Sequence, residues 1–194
     1  LTLRPRAAVM SRLAPPAEPR FFTARDTLTA PALFDQLLYQ PHEPRVPVTQ
    51  MVDARIAHHE TDGWHYETMP TDDRAWQDSL ADLDADSIER HGHPFAECAW
   101  NEQKGLLQDI QDLGTERWHG MVASHVWSLW TRYGCTAFYA HPLAWNEIGF
   151  DGPAYPRGYK NIGVDRLEGI EVHDAHPADD PLKPHAAGPT GVQR

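Results

Sequence analysis

TERWHGMVASHVWSLWTRYGCTAFY, residues Thr115 to Tyr139, reads as one long helix. Trp118, Met121, Val122, Val126, Leu129, Trp130 and Tyr133 recur at spacings of three and four. Together they cover so wide an arc that the helix is expected at the centre of the fold. Thr115 is a candidate cap, and Gly114 closes whatever precedes it.

Working upstream, Pro94 opens a helix expected to run to about Leu113, with Phe95, Cys98, Ala99, Leu106 and Ile110 on one face. Before it, Thr71 to His91 has a cap in Thr71, acids at the positive end of the dipole in Asp72 and Asp73, and a closing Gly92. Its stripe is Trp76, Leu80, Leu83 and Ser87 or Ile88. Short breaks between long helices favour antiparallel neighbours, and neither βαβ alternation nor an internal repeat occurs. The fold class is therefore all-α, a small helical bundle. Two shorter helices are expected ahead of it. Thr27–Tyr39 has Thr29 as a candidate cap, Pro31 as an early helical residue, and a face of Leu33, Phe34, Leu37 and Leu38. Val48–His59 is weaker. Pro41, Pro44 and Pro47 make an extended link between the two, and Gly63–Pro70 is an aromatic loop.

The helical domain is set at residues 27–141, with long irregular arms on both sides that wrap a partner. Residues 1–26 form an extended N-terminal arm. Residues 1–20 are rich in Pro, Arg and Ala and carry no apolar core of the kind a secretory signal needs. Residues 173–194, rich in Pro, Asp and His, form an extended tail that cannot build a core. Residues 142–172 are a docking segment. Its heart is FYAHPLAWNEIGFDGPAYPRGY, Phe138 to Tyr159, where aromatics alternate with three prolines and three glycines around a single arginine. Aromatics drive burial while Pro and Gly break regular elements, so this is an ordered, irregular segment that fills pockets. It is either a strap over the chain's own helices or a surface for a second protein, in which Tyr, Trp and Arg are the favoured anchors.

The same residues carry a resemblance. Thr136 to Tyr159 resembles the C-terminal motif of the gluconate 2-dehydrogenase subunit 3 family, the small or gamma subunits of flavin-dependent sugar and polyol dehydrogenases. Phe95, Cys98, Gln103, Leu106 and Leu107 resemble that family's upstream pattern, with Cys98 in place of the usual leucine. The similarity runs in order from about Phe21 to Tyr159. It implies a non-catalytic small subunit that binds and stabilises a large FAD-dependent dehydrogenase of the glucose–methanol–choline type. That partner would oxidise a hydroxyl of a sugar, glycoside or polyol. FAD would belong to the partner, with no cofactor in this chain, and a haem or other electron-transfer subunit is a further partner. The positions carried over as partner-binding are Phe138, Tyr139, Pro142, Trp145, Gly149, Gly152, Pro153, Tyr155, Pro156, Arg157, Gly158 and Tyr159. Arg157 would pair with a partner carboxylate or, equally, with Glu147 of its own chain. The alternatives are a folding or export chaperone that dissociates, and a stand-alone His-rich metal-dependent enzyme. Family members often carry a twin-arginine export signal, which residues 1–20 do not match. The reading is therefore a cytoplasmic chain, or one exported on its partner's signal.

Composition limits the rest. A net charge of −11 over 194 residues repels phosphate backbones and anionic membranes. No apolar run is long enough to span a bilayer. The cysteines, Cys98 and Cys135, are expected as free thiols in helical patterns, with no metal partner at a recognised spacing. Among the twelve histidines, only Glu116–His119 matches a helical Glu-x-x-His, and a di-iron bundle needs two. His58-His59-Glu60 and His91-Gly92-His93 are read as surface groups. The acid pairs Asp72–Asp73 and Asp179–Asp180 are read as solvated. No dinucleotide fingerprint and no nucleophile elbow is present. A large obligate interface is expected, above about 2,000 Å², and the isolated chain is expected to be poorly soluble or loosely folded.

Overall fold

The computed structural model describes residues 10, 12–14, 18–40 and 42–148. It is mostly helical: α1 (Asp26–Leu38), α2 (Val48–Ala57), α3 (Asp72–His91), a 3₁₀ turn (Phe95–Glu97), α4 (Trp100–Asp112), a hairpin of β1 (Arg117–Trp118) and β2 (Met121–Val122), α5 (Ala123–Tyr139) and α6 (Pro142–Glu147). Helix α5 touches every other α-helix, as its wide apolar arc implies. Val126, Leu129, Trp130 and Tyr133 of α5 are all buried. Gly134 lets α1 approach closely, since a Cβ there would lie 3.0 Å from the Phe34 ring.

The central helix is shorter than its sequence pattern. Residues 117–122 form the two-stranded antiparallel hairpin, with Arg117 opposite Val122 and Trp118 opposite Met121. Its two-residue turn is His119–Gly120, with φ of 45° and 87°. Both central residues at positive φ is the geometry of the primed turn that suits a tight hairpin. Trp118 and Met121 are still buried, so the helical spacing was real burial carried by another backbone. The second expected helix is also divided. A 3₁₀ turn at Phe95–Glu97 precedes α4, whose first turn is closed by the Glu102 carboxylate accepting the Ala99 N–H at 2.8 Å.

Helix α3 keeps its expected limits, with Gly92 at φ 85° and its N–H on the Ile88 carbonyl. Ser87 takes the inward position and Ile88 faces out. Helix α1 starts earlier than Thr29. Thr23 and Asp26 bond reciprocally, the Asp26 N–H to the Thr23 hydroxyl and the Thr23 N–H to the Asp26 carboxylate. This is the logic of a capping box. Pro31 consequently lies inside the helix, and Thr29 is buried, donating its hydroxyl to Asp84 at 2.9 Å.

The helical unit also starts before residue 27. Phe22 is buried edge-on to Trp76, ring centres 6.0 Å apart. The Asp53 carboxylate accepts the successive N–H groups of Arg20, Phe21 and Phe22 at 2.8, 2.9 and 2.7 Å. A buried charge held by backbone donors fixes this segment to α2.

Candidate partner interface

Of the twelve proposed docking positions, Phe138, Tyr139, Pro142 and Trp145 fall among the described residues. Gly149, Gly152, Pro153, Tyr155, Pro156, Arg157, Gly158 and Tyr159 lie outside them. The described four share one corner, where α5 ends and α6 begins. Phe138 is buried, and the adjoining Tyr139 stands edge-on to it at 5.2 Å with 52% of its surface exposed. Trp145 donates its indole N–H to the Tyr139 carbonyl at 2.7 Å. Pro142 occupies the first turn of α6, where its missing N–H costs nothing. His141 caps that helix by accepting the Leu143 N–H at Nδ1, 3.2 Å. Burial pushes the His141 pKa down, keeping the ring neutral and able to accept. Arg12 donates to the Ala140 carbonyl at 2.5 Å, which brings part of the N-terminal arm to the same corner. Beside it, Arg12 and Ala14 line a cavity of about 550 Å³ with Met51, Arg55, Tyr133 and Ala137.

Other aromatics reach the surface elsewhere. Tyr39 and Trp100 meet edge-on at 6.0 Å, both exposed. The loop after α2 is tied down by charge: Arg132 reaches Asp62 at 2.9 Å and lies 4.5 Å over the Trp64 ring, while Arg55 pairs with Asp62. Tyr133 donates to Asp72 at 2.6 Å, and burial together with that carboxylate pushes its pKa well up. Asp72 is therefore buried and paired, not solvated as the sequence suggested; Asp179 and Asp180 lie outside the described residues.

The histidines divide. Glu116–His119 is not helical, because those residues lead into the hairpin. His119 meets Asp86 at 2.6 Å and Asp82 at 3.6 Å instead. His58 bonds Arg20 and the Ala54 carbonyl. At the junction after α3, however, His93, Cys98 and Glu102 come together, their ligand atoms within 4.8 Å of one another. Spacing rules did not pair them. His93 follows Gly92, Cys98 ends the 3₁₀ turn, and Glu102 lies in the first turn of α4. Both cysteines are free, Cys98 buried and Cys135 half-buried.

Comparison with known families decides the assignment. The model of gluconate 2-dehydrogenase subunit 3 matches residues 24–152. The chain belongs to this family. No curated protein and no solved structure matches it. The matched region contains every described helix and ends at Gly152, so Pro153–Tyr159 of the docking motif lies beyond it. The family's upstream pattern has a structural basis here: Phe95, Leu106 and Leu107 are buried, and buried Gln103 donates to the Phe95 carbonyl at 2.8 Å. Among the described residues no helix is long and apolar enough to cross a membrane.

Proposed function

We propose that this chain is a non-catalytic small subunit that binds and stabilises a large FAD-dependent dehydrogenase of the glucose–methanol–choline type. The partner oxidises a hydroxyl of a sugar, glycoside or polyol, and passes electrons on to a haem or other electron-transfer subunit. Membership of the subunit 3 family carries this reading. The exposed aromatic corner at Tyr139 and Trp145 supports it, because it leads directly into residues 149–159, which hold the remaining docking positions.

The division of labour follows from the chemistry. Flavin and substrate groups reside in the large subunit. This chain contributes apolar and aromatic area, with Tyr and Trp anchors that lose little side-chain entropy on docking. The test is co-expression of the tagged chain with the candidate large subunit, followed by mass spectrometry of what the tag retains. Equimolar retention through extended washing is the expected outcome. Release of the small chain once the large one has folded would instead establish a dissociating chaperone.

A further inference from the structure

We propose that His93, Cys98 and Glu102 form a binding site for a zinc-class transition-metal ion at the junction of α3 and α4. One nitrogen of His93, the Cys98 sulfur and one Glu102 oxygen all lie within 4.8 Å of one another. The ligand atoms of a tetrahedral zinc ion, at bonds of about 2.0–2.3 Å, sit about 3.3–3.8 Å apart. Small rotations of the three side chains reach that separation. A thiolate, an imidazole and a carboxylate select zinc-class ions over calcium and magnesium, which take oxygen alone.

The surroundings are those of a built site. Gly92, left-handed at φ 85°, turns the chain so that His93 comes back over Cys98, and the His93 Nδ1 lies 3.5 Å from the sulfur. The Cys98 N–H is held by the Phe95 carbonyl at 3.2 Å. Glu102 is fixed through Oε2 by the Ala99 N–H, while its Oε1 lies 3.6 Å from His91 Nδ1. His91 Nε2 is buried without a hydrogen-bond partner. His91 thus orients the carboxylate, or supplies a fourth ligand where a water would otherwise sit.

Ser87 completes the arrangement. Its hydroxyl donates to the His93 carbonyl at 2.9 Å and lies 2.8 Å from the Cys98 sulfur. With its own hydrogen so used, Ser87 accepts the thiol hydrogen. When the metal binds, the thiol proton leaves to solvent and Ser87 turns to donate to the thiolate. The sulfur is only 7% exposed, which closes it to a bulky substrate. The site is accordingly a structural clip rather than a nucleophile.

The test is titration of the metal-free, reduced full-length chain with cobalt(II) and then zinc(II). The expected result is one cobalt per chain, with a thiolate-to-cobalt charge-transfer band and the intense visible bands of four-coordination, all removed by zinc. Cys98→Ser abolishes the charge-transfer band, whereas Cys135→Ser leaves it intact. Glu102→Gln keeps a residue able to cap α4 and weakens cobalt binding by more than about tenfold. It therefore tests the site even where Cys98→Ser disturbs the fold. No cobalt uptake, a band that follows Cys135, or binding indifferent to Glu102→Gln would overturn the proposal.

Discussion

Trp76 and Tyr139 are both large aromatics on helices, and their surroundings differ completely. Trp76 is wholly enclosed by Phe22, Phe34 and Tyr133, at ring separations of 6.0, 5.8 and 5.9 Å. These neighbours come from the N-terminal segment, α1 and α5. Tyr139 has Phe138 on one side and is half open on the other. The lesson concerns supply of neighbours. In the core, elements meet an aromatic from several directions, whereas at the α5–α6 corner only those two helices do so. An aromatic there is finished by residues 149–159 or by another protein.

The largest effect separates the two regions. Trp76→Ala removes the centre of the core and is expected to cost about 4 kcal/mol, measured by denaturant unfolding. A cost near zero would mean that the enclosed ring is no more structural than the exposed one. Asp84→Ala comes next. Asp84 is 1% exposed and accepts from Arg25, Thr29 and the Phe95 N–H, joining α1, α3 and the 3₁₀ turn. Its loss strands the Thr29 hydroxyl and the Phe95 N–H, at about 3 kcal/mol; Asp84→Asn, which keeps an acceptor, costs less.

Such aspartates show where the sequence stops informing. An Asp facing water and one accepting buried N–H groups are spelled alike, so Asp53, Asp72 and Asp84 gave no signal of their burial. The helices were legible, because caps and stripes are local: Thr71, Asp72, Asp73 and Gly92 bounded α3 correctly. The hairpin was not. Trp118, Met121 and Val122 fit a helical spacing, and two-residue strands are too short to show alternation. The signal against a helix was His119-Gly120, a pair able to take two positive φ values. The His93–Cys98–Glu102 cluster was hidden for a related reason, since its spacing follows no known ligand pattern and only the turn at Gly92 closes it. Of the docking motif, the corner residues were legible as aromatic anchors, and their exposure was not.

A smaller effect probes the corner itself. His141 is neutral and accepts the Leu143 N–H, with its pKa pushed below the ordinary 6.5 by burial. The unfolded chain then binds more protons, so this contribution is complete above about pH 6.5 and is lost as pH falls below it. His141→Asn retains an acceptor for the cap and should flatten the pH dependence of unfolding over that range. An unchanged slope would show that His141 is not responsible. Smallest in stability is Tyr139→Ala, expected to change unfolding by less than about 0.5 kcal/mol because the ring is half exposed. A loss as large as that of Trp76→Ala would erase the distinction between core and corner.

The most direct measurement is the flavin recovered per tagged chain from its host, read from the visible spectrum of the eluate, for the natural sequence and for Tyr139→Ala. One flavin per chain, bound through a dehydrogenase-sized partner and reduced by Tyr139→Ala without loss of fold, is the result expected. A colourless, well-folded chain recovered alone would contradict the account.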